Sequence, residues 1–234
     1  MRIDISEISS AFPEFRVAAV VATGLAIPPS RSPELSASIA GREAACRAQW
    51  SGMELSAIPG IAVWRAAYRA SGIKKTSYRC SAERLVNNAL AVRPLPEINA
   101  FVDAYNAVSL AHVMPAGADD LAKVAGDVAF RYARPGDTFL DMAGDAGPVA
   151  DPPKEGEVVY ADADKVLCRR WNWRQDARSL VTSATTSAIV TVQANGAGDL
   201  DAAVADLDAL IRPFCRGSVA VVVASKSRPI VEIG

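Results

Sequence analysis

The chain has 234 residues, half of them hydrophobic, with a formal charge of −1 and a pI near 5.9. That length supports one large domain or two small ones with a substantial buried core. The near-neutral balance excludes a globally basic nucleic-acid binder, so contact with a polyanion has to come from a local patch.

Asp4 and Glu7 stand where a secretory signal would carry cations. The apolar run from Val17 to Ile27 is broken by Thr23 and Gly24 and falls short of the roughly 20 residues a membrane helix needs. A soluble, cytoplasmic protein is expected. The segment 14–22 is β-branched and apolar, and reads as a buried strand. Ser32 and Pro33 then open a helix over 34–49, the serine as cap and the proline at the first helical position. A second helix is predicted over 60–70, stopped by Gly72. Ser81 is the expected cap of a third, which runs through Leu85, Val86 and Leu90 to the prolines at 94 and 96. Ile98, Phe101, Val102, Tyr105 and Val108 follow helical spacing, with Asn99 as cap.

Beyond Pro115 the character changes to short β-type runs at 128–132, 138–142, 157–161, 166–173 and 188–193, separated by Gly, Pro and Asp turns. Asp162 to Lys165 fits a tight connection between two strands. Residues 199–210 carry Leu200, Val204, Leu207 and Leu210 on one helical face, and 219–224 and 230–233 close the chain as strands. Cys46, Cys80, Cys168 and Cys215 form no Cys-x-x-Cys pair and read as reduced thiols.

The most informative stretch is Cys168-Arg169-Arg170-Trp171-Asn172-Trp173-Arg174-Gln175. Its guanidiniums bind phosphates or carboxylates, its indoles offer flat surfaces, and its amides read polar edges. The competing reading is a strand with Trp171 and Trp173 on one buried face and the arginines solvated. A second local feature lies between Ile61 and Arg93, where seven cations face one acid, Glu83. Lys74, Lys75 and Arg79 are its candidate contacts to a polyanion, a solvated helical face being the alternative. Asn106 and Ser109 lie three residues apart on one predicted helix. Thr191 and Gln193 share one face of a predicted strand.

Other chemistries find little support. His112 is the sole histidine and no Gly-x-Ser-x-Gly elbow is present, which argues against a serine hydrolase. Asp119, Asp120, Asp162 and Asp164 lack the spacing of a calcium loop, and the scattered glycines form neither a phosphate loop nor a dinucleotide fingerprint. No metal and no cofactor are expected.

The stretches 95–106, 120–131, 156–162 and 168–175 leading into 184–190, in that order, resemble the B3/B4 tRNA-binding and editing domain of the bacterial phenylalanyl-tRNA synthetase β subunit. The likeness is that of a free-standing B3/B4 domain spanning 1–234, strongest over 70–192. It implies an α+β fold with a helical N-terminal part packed on a mixed β-rich body. It also implies tRNA or aminoacyl-tRNA as partner, in preference to DNA or a membrane, and an ester-cleaving activity that directs water at the aminoacyl carbonyl of wrongly charged tRNA. On that reading Asn172 and Gln175 position water or substrate. Arg169, Arg170 and Arg174 contact the tRNA terminus or the carboxyl-derived oxygen, and Asn106, Ser109, Thr191 and Gln193 complete the substrate site. The sequence departs from the synthetase domain where a pocket glutamate aligns with Gln175 and a histidine falls near Pro115. Glutamine is no general base at neutral pH, so such an enzyme would work by positioning water and stabilising the oxyanion. The alternative is a binding module for tRNA or an amino-acid-like ligand, without chemistry.

Overall fold

The computed structural model describes residues 1–73, 75, 77–142 and 147–233. In chain order these form β1 (Arg2–Asp4), α1 (Ser6–Ser9), β2 (Phe15–Thr23), α2 (Pro33–Trp50), α3 (Pro59–Ala70), α4 (Ser81–Leu90), α5 (Ala100–His112), β3 (Ala116–Asp120), β4 (Val128–Tyr132), β5 (Leu140–Met142), β6 (Pro148–Ala150), β7 (Val158–Ala161), β8 (Val166–Arg169), β9 (Arg174–Gln175), β10 (Ser187–Asn195), α6 (Leu200–Cys215), β11 (Ser218–Ala224) and β12 (Ile230–Glu232). The fold is α+β. No helix among the described residues is long and apolar enough to cross a membrane.

The helices start where their caps dictate. Ser32 accepts from the Leu35 amide with Pro33 following, Asn99 from Val102, and Asp199 from Ala202. The third cap differs from expectation. Cys80, not Ser81, is the cap residue, its Sγ accepting from the Glu83 amide at 3.4 Å. Ser81 moves inside the helix, and its hydroxyl becomes available to the interior.

Strand β2 explains its own composition. In the antiparallel sheet ordered β11-β2-β10-β3, it pairs with β10 from Phe15↔Asn195 to Thr23↔Ser187. Ala18, Val20 and Ala22 join one apolar cluster with residues of α2, α5 and α6, while Phe15, Val17, Ala19 and Val21 join another. Both faces are covered, so the strand reads as a continuous apolar run. The second cluster is completed by Trp64 and Tyr68 of α3 and by Phe130, Tyr160 and Leu167 from a sheet ordered β12-β1-β4-β7-β8-β9. That sheet is antiparallel except for the parallel pair β1–β4.

Two elements depart from the sequence reading in ways that shape the interior. Ala116–Asp120 is a strand that no β-propensity signals, paired antiparallel with β10 through Thr191↔Gly117 and Ile189↔Asp119. The predicted strand 166–173 ends at Arg169, because Arg170 and Trp171 both take left-handed backbone angles, φ +46° and +68°. Glu157 holds the turn, accepting the Arg170 amide at 3.1 Å and both Nε and Nη2 of Arg169 at 3.0 Å. The turn drives Trp171 into the core, edge-on to Phe12, Phe15 and Trp64 at ring distances of 4.5, 5.1 and 5.3 Å. Trp171 and Trp173 therefore do not share a strand face.

Candidate functional site

The two sheets do not close on each other everywhere. Between them is a cavity of about 160 Å³. It is walled by Gly117 and Asp119 of β3, Thr191 and Gln193 of β10, Tyr160 of β7, Leu167 and Cys168 of β8, and residues 172–175. Ser81 of α4 and Tyr105 and Asn106 of α5 complete it. Alternation explains the polar lining on β10: Ile189, Thr191 and Gln193 share a face, with Ile189 in the apolar cluster and the next two at the cavity.

The amides form a fixed relay. Tyr68 donates its hydroxyl to Asn172 Oδ1 at 2.8 Å, Asn172 Nδ2 donates to Gln193 Oε1 at 3.0 Å, and Gln193 Nε2 lies 3.4 Å from Thr191 Oγ1. Gln175 Nε2 donates to the Ala118 carbonyl and, at 3.0 Å, to Asp119 Oδ1. Ser179 Oγ donates to the same oxygen at 2.6 Å. No donor among the described residues reaches Asp119 Oδ2.

Asp119 is only 3 % exposed. Burial pushes its carboxyl from the ordinary 3.8 up to about 7, against the opposing pull of the Ser179 and Gln175 hydrogen bonds. Burial likewise raises the Cys168 thiol and the phenols of Tyr105 and Tyr160, with the Asp119 charge adding to each. These three stay protonated, so Cys168 is no nucleophile at neutral pH. The hydroxyls of Ser81 and Tyr160 are buried with no hydrogen-bond partner, and the Asn106 amide has none among the described residues.

Of the residues singled out from sequence, Asn106, Asn172, Arg174, Gln175, Thr191 and Gln193 come together around this space. Ser109, Arg169 and Arg170 do not. Ser109 Oγ donates to the Met114 carbonyl at 2.6 Å, at the end of α5. Arg169 is 1 % exposed and bound to Glu157 and Asp151. The Arg170 guanidinium stacks over Tyr78 and Trp173, 3.8 and 4.4 Å from their ring centres, away from the cavity. Arg174 sits on the outer side, ion-paired with Asp141 and stacked on Trp173 at 4.5 Å.

Trp173 and Arg174 also line a surface depression of about 440 Å³ with Tyr78, Arg79, Arg84, Asn87 and Asn88. Its aromatic and cationic lining adjoins the cavity. Lys75 is exposed, and Arg79 lies 3.4 Å from Glu83. Lys74 is outside the described residues. Glu83 also takes a two-pronged pair from Arg65, so this one buried acid draws in two of the basic stretch's cations. Asp119, Tyr105, Tyr160 and Ser81 were not singled out for the site from sequence.

The B3/4 domain model matches residues 63–197, more than half of the chain, and the chain belongs to that family. Among solved structures it is similar to an N-terminal fragment of the phenylalanyl-tRNA synthetase β subunit from Pyrococcus horikoshii, with a TM-score of 0.48 and 10% identity over 94% of this chain and 53% of that one. The chain thus spans about half the length of that fragment. No curated protein sequence matches.

Proposed function

We propose that this B3/4 protein recognises aminoacyl-tRNA and removes a wrong amino acid from it by hydrolysis in trans. The observation that carries the reading is the cavity of about 160 Å³ between the sheets, with hydrogen-bonding groups on several walls, beside a depression lined by Trp173, Arg174 and Arg79. A cavity of that size takes a small ring or amino-acid side chain. The adjoining aromatic and cationic surface suits a nucleotide and its phosphates. The sequence motifs shared with the synthetase editing domain support the same substrate.

In this reading Asn172, oriented by Tyr68 and Gln193, holds the ester or an attacking water, and Arg174 meets the carboxyl-derived oxygen or the terminal phosphate at the cavity's outer side. Gln175 acts by fixing Asp119, not as a base. Lys75 and Arg79, with Lys74, add contacts to the tRNA backbone. Hydrolysis then depends on placing water against an already activated ester.

The second reading, a binding module without chemistry, is favoured by one specific observation: the Gln175 amide is already committed to Ala118 and Asp119. Incubating the protein with a panel of mischarged tRNAs separates the two. Trans-editing predicts deacylation of at least one species at substoichiometric protein. Protection of the ester, or rates equal to the protein-free control throughout the panel, would leave only the binding module.

A further inference from the structure

The cavity's polar inventory is lopsided. Among the described residues Asp119 is its only acid and Arg174 its only cation, and Arg174 is turned outward to Asp141 and Trp173. Inside, Asp119 Oδ1 accepts from Ser179 and Gln175, while no donor among the described residues serves Oδ2. Across the same space, the buried hydroxyls of Tyr160, 2 % exposed, and Ser81 have no partner. A buried polar atom without a partner costs about 1–3 kcal/mol, and two such hydroxyls around one cavity, beside the carboxylate oxygen that accepts nothing, mark where a bound molecule supplies the missing groups.

The geometry points to a site for a small ligand that carries an ammonium group, received by Asp119 Oδ2, with acceptor atoms that meet the Tyr160 and Ser81 hydroxyls. An amino-acid moiety is the simplest molecule of that kind. The inference rests on the proposed function only in expecting that moiety to arrive as an ester of tRNA. The site would hold a free amino compound equally well.

No cation among the described residues is ion-paired with Asp119. Lys165, whose charge draws the Asp119 carboxyl down, is tied to Asp162 at 2.5 Å, and Lys123 lies against Asp120 at 3.2 Å. Tyr105, Tyr160 and Cys168, the remaining titratable neighbours, stay neutral. An ammonium placed beside Asp119 therefore favours the ionised carboxylate and draws its pKa down from about 7.

The test is calorimetric titration of the whole protein with a panel of L-amino alcohols, whose ammonium stays charged through neutral pH, and with the matching alcohols that lack the amino group. At least one amino alcohol should bind, about ten- to a hundredfold more tightly than its amine-free counterpart. The preference should grow as pH rises through about 7. Asp119→Asn keeps the acceptor used by Ser179 and Gln175 and should abolish the preference. If that variant does not fold, the pH course in the natural protein decides. Equal binding of the paired compounds, a preference that survives Asp119→Asn or ignores pH, or no binding by any amino alcohol would overturn the inference. Binding of the amine without any deacylation of tRNA would support the inference and sink the hydrolytic reading alone.

Discussion

Arg169, Arg170 and Trp171 leave β8 through a left-handed turn, whereas the next four residues, Asn172 to Gln175, run along the wall of the cavity. The first group satisfies internal demands: Arg169 neutralises buried Glu157, and Trp171 fills the space among Phe12, Phe15 and Trp64. The second offers amides, an indole and a guanidinium to the cavity and the depression beside it. One run rich in Arg and Trp thus serves as core on one side of a backbone turn and as candidate site on the other. Residue type alone does not assign function, because the turn decides which side chains face inward.

That comparison is most strongly tested by truncating the core group. Trp171→Ala removes a large buried ring and should cost about 3–5 kcal/mol in denaturant unfolding. Activity per folded molecule should be preserved. A loss near zero would mean that the turn does not anchor the core.

Asp119 should act in the opposite sense. Its folded carboxyl titrates at about 7 against an ordinary 3.8, so the folded state keeps a proton that the unfolded chain has already lost. The stabilisation linked to that proton is present below pH about 4 and is lost as pH rises through about 7. At 1.36 kcal/mol per pH unit the upper limit is about 4 kcal/mol. Asp119→Asn should therefore match the natural protein in acid and be the more stable above neutrality. An identical stability difference at all pH values would show that Asp119 is not a buried, desolvated carboxyl.

Gln175→Ala sharpens the other half of the comparison. It removes the donor to Ala118 and Asp119 and should lower turnover or ligand affinity about ten- to a hundredfold, with a stability loss of only about 1 kcal/mol. A larger fall in stability with unchanged turnover would move Gln175 into the structural group. The smallest effect belongs to exposed Lys75. Lys75→Glu should leave stability within about 0.5 kcal/mol and lower the salt slope of tRNA binding by about 1. An unchanged slope would assign it to a solvated surface.

Local signals in the sequence located most elements. Caps at Ser32 and Asn99 and the apolar runs of β2 and β10 act through neighbouring residues, and each stands where expected. What escaped depends on distant partners. Ala116–Asp120 becomes a strand only because β10 supplies its ladder, and Asp119 becomes a desolvated cavity acid only once that pairing is made. The β8 strand stops early because Glu157, on the approach to β7, captures both the Arg169 side chain and the Arg170 amide. Thr191 and Gln193 were legible as a polar pair on one face, but the relay that links them to Asn172 and Tyr68 spans more than a hundred residues.

The central claim is that the space between the two sheets is where the aminoacyl group binds. A crystal structure with a non-hydrolysable aminoacyl-adenosine analogue, in which an amide replaces the ester, tests it most directly. The account predicts the aminoacyl part inside the cavity, its ammonium against Asp119 and its amide carbonyl near Asn172, with the nucleoside on Trp173 and Arg174. An analogue bound elsewhere, with water alone between Asp119, Tyr160 and Ser81, would contradict it.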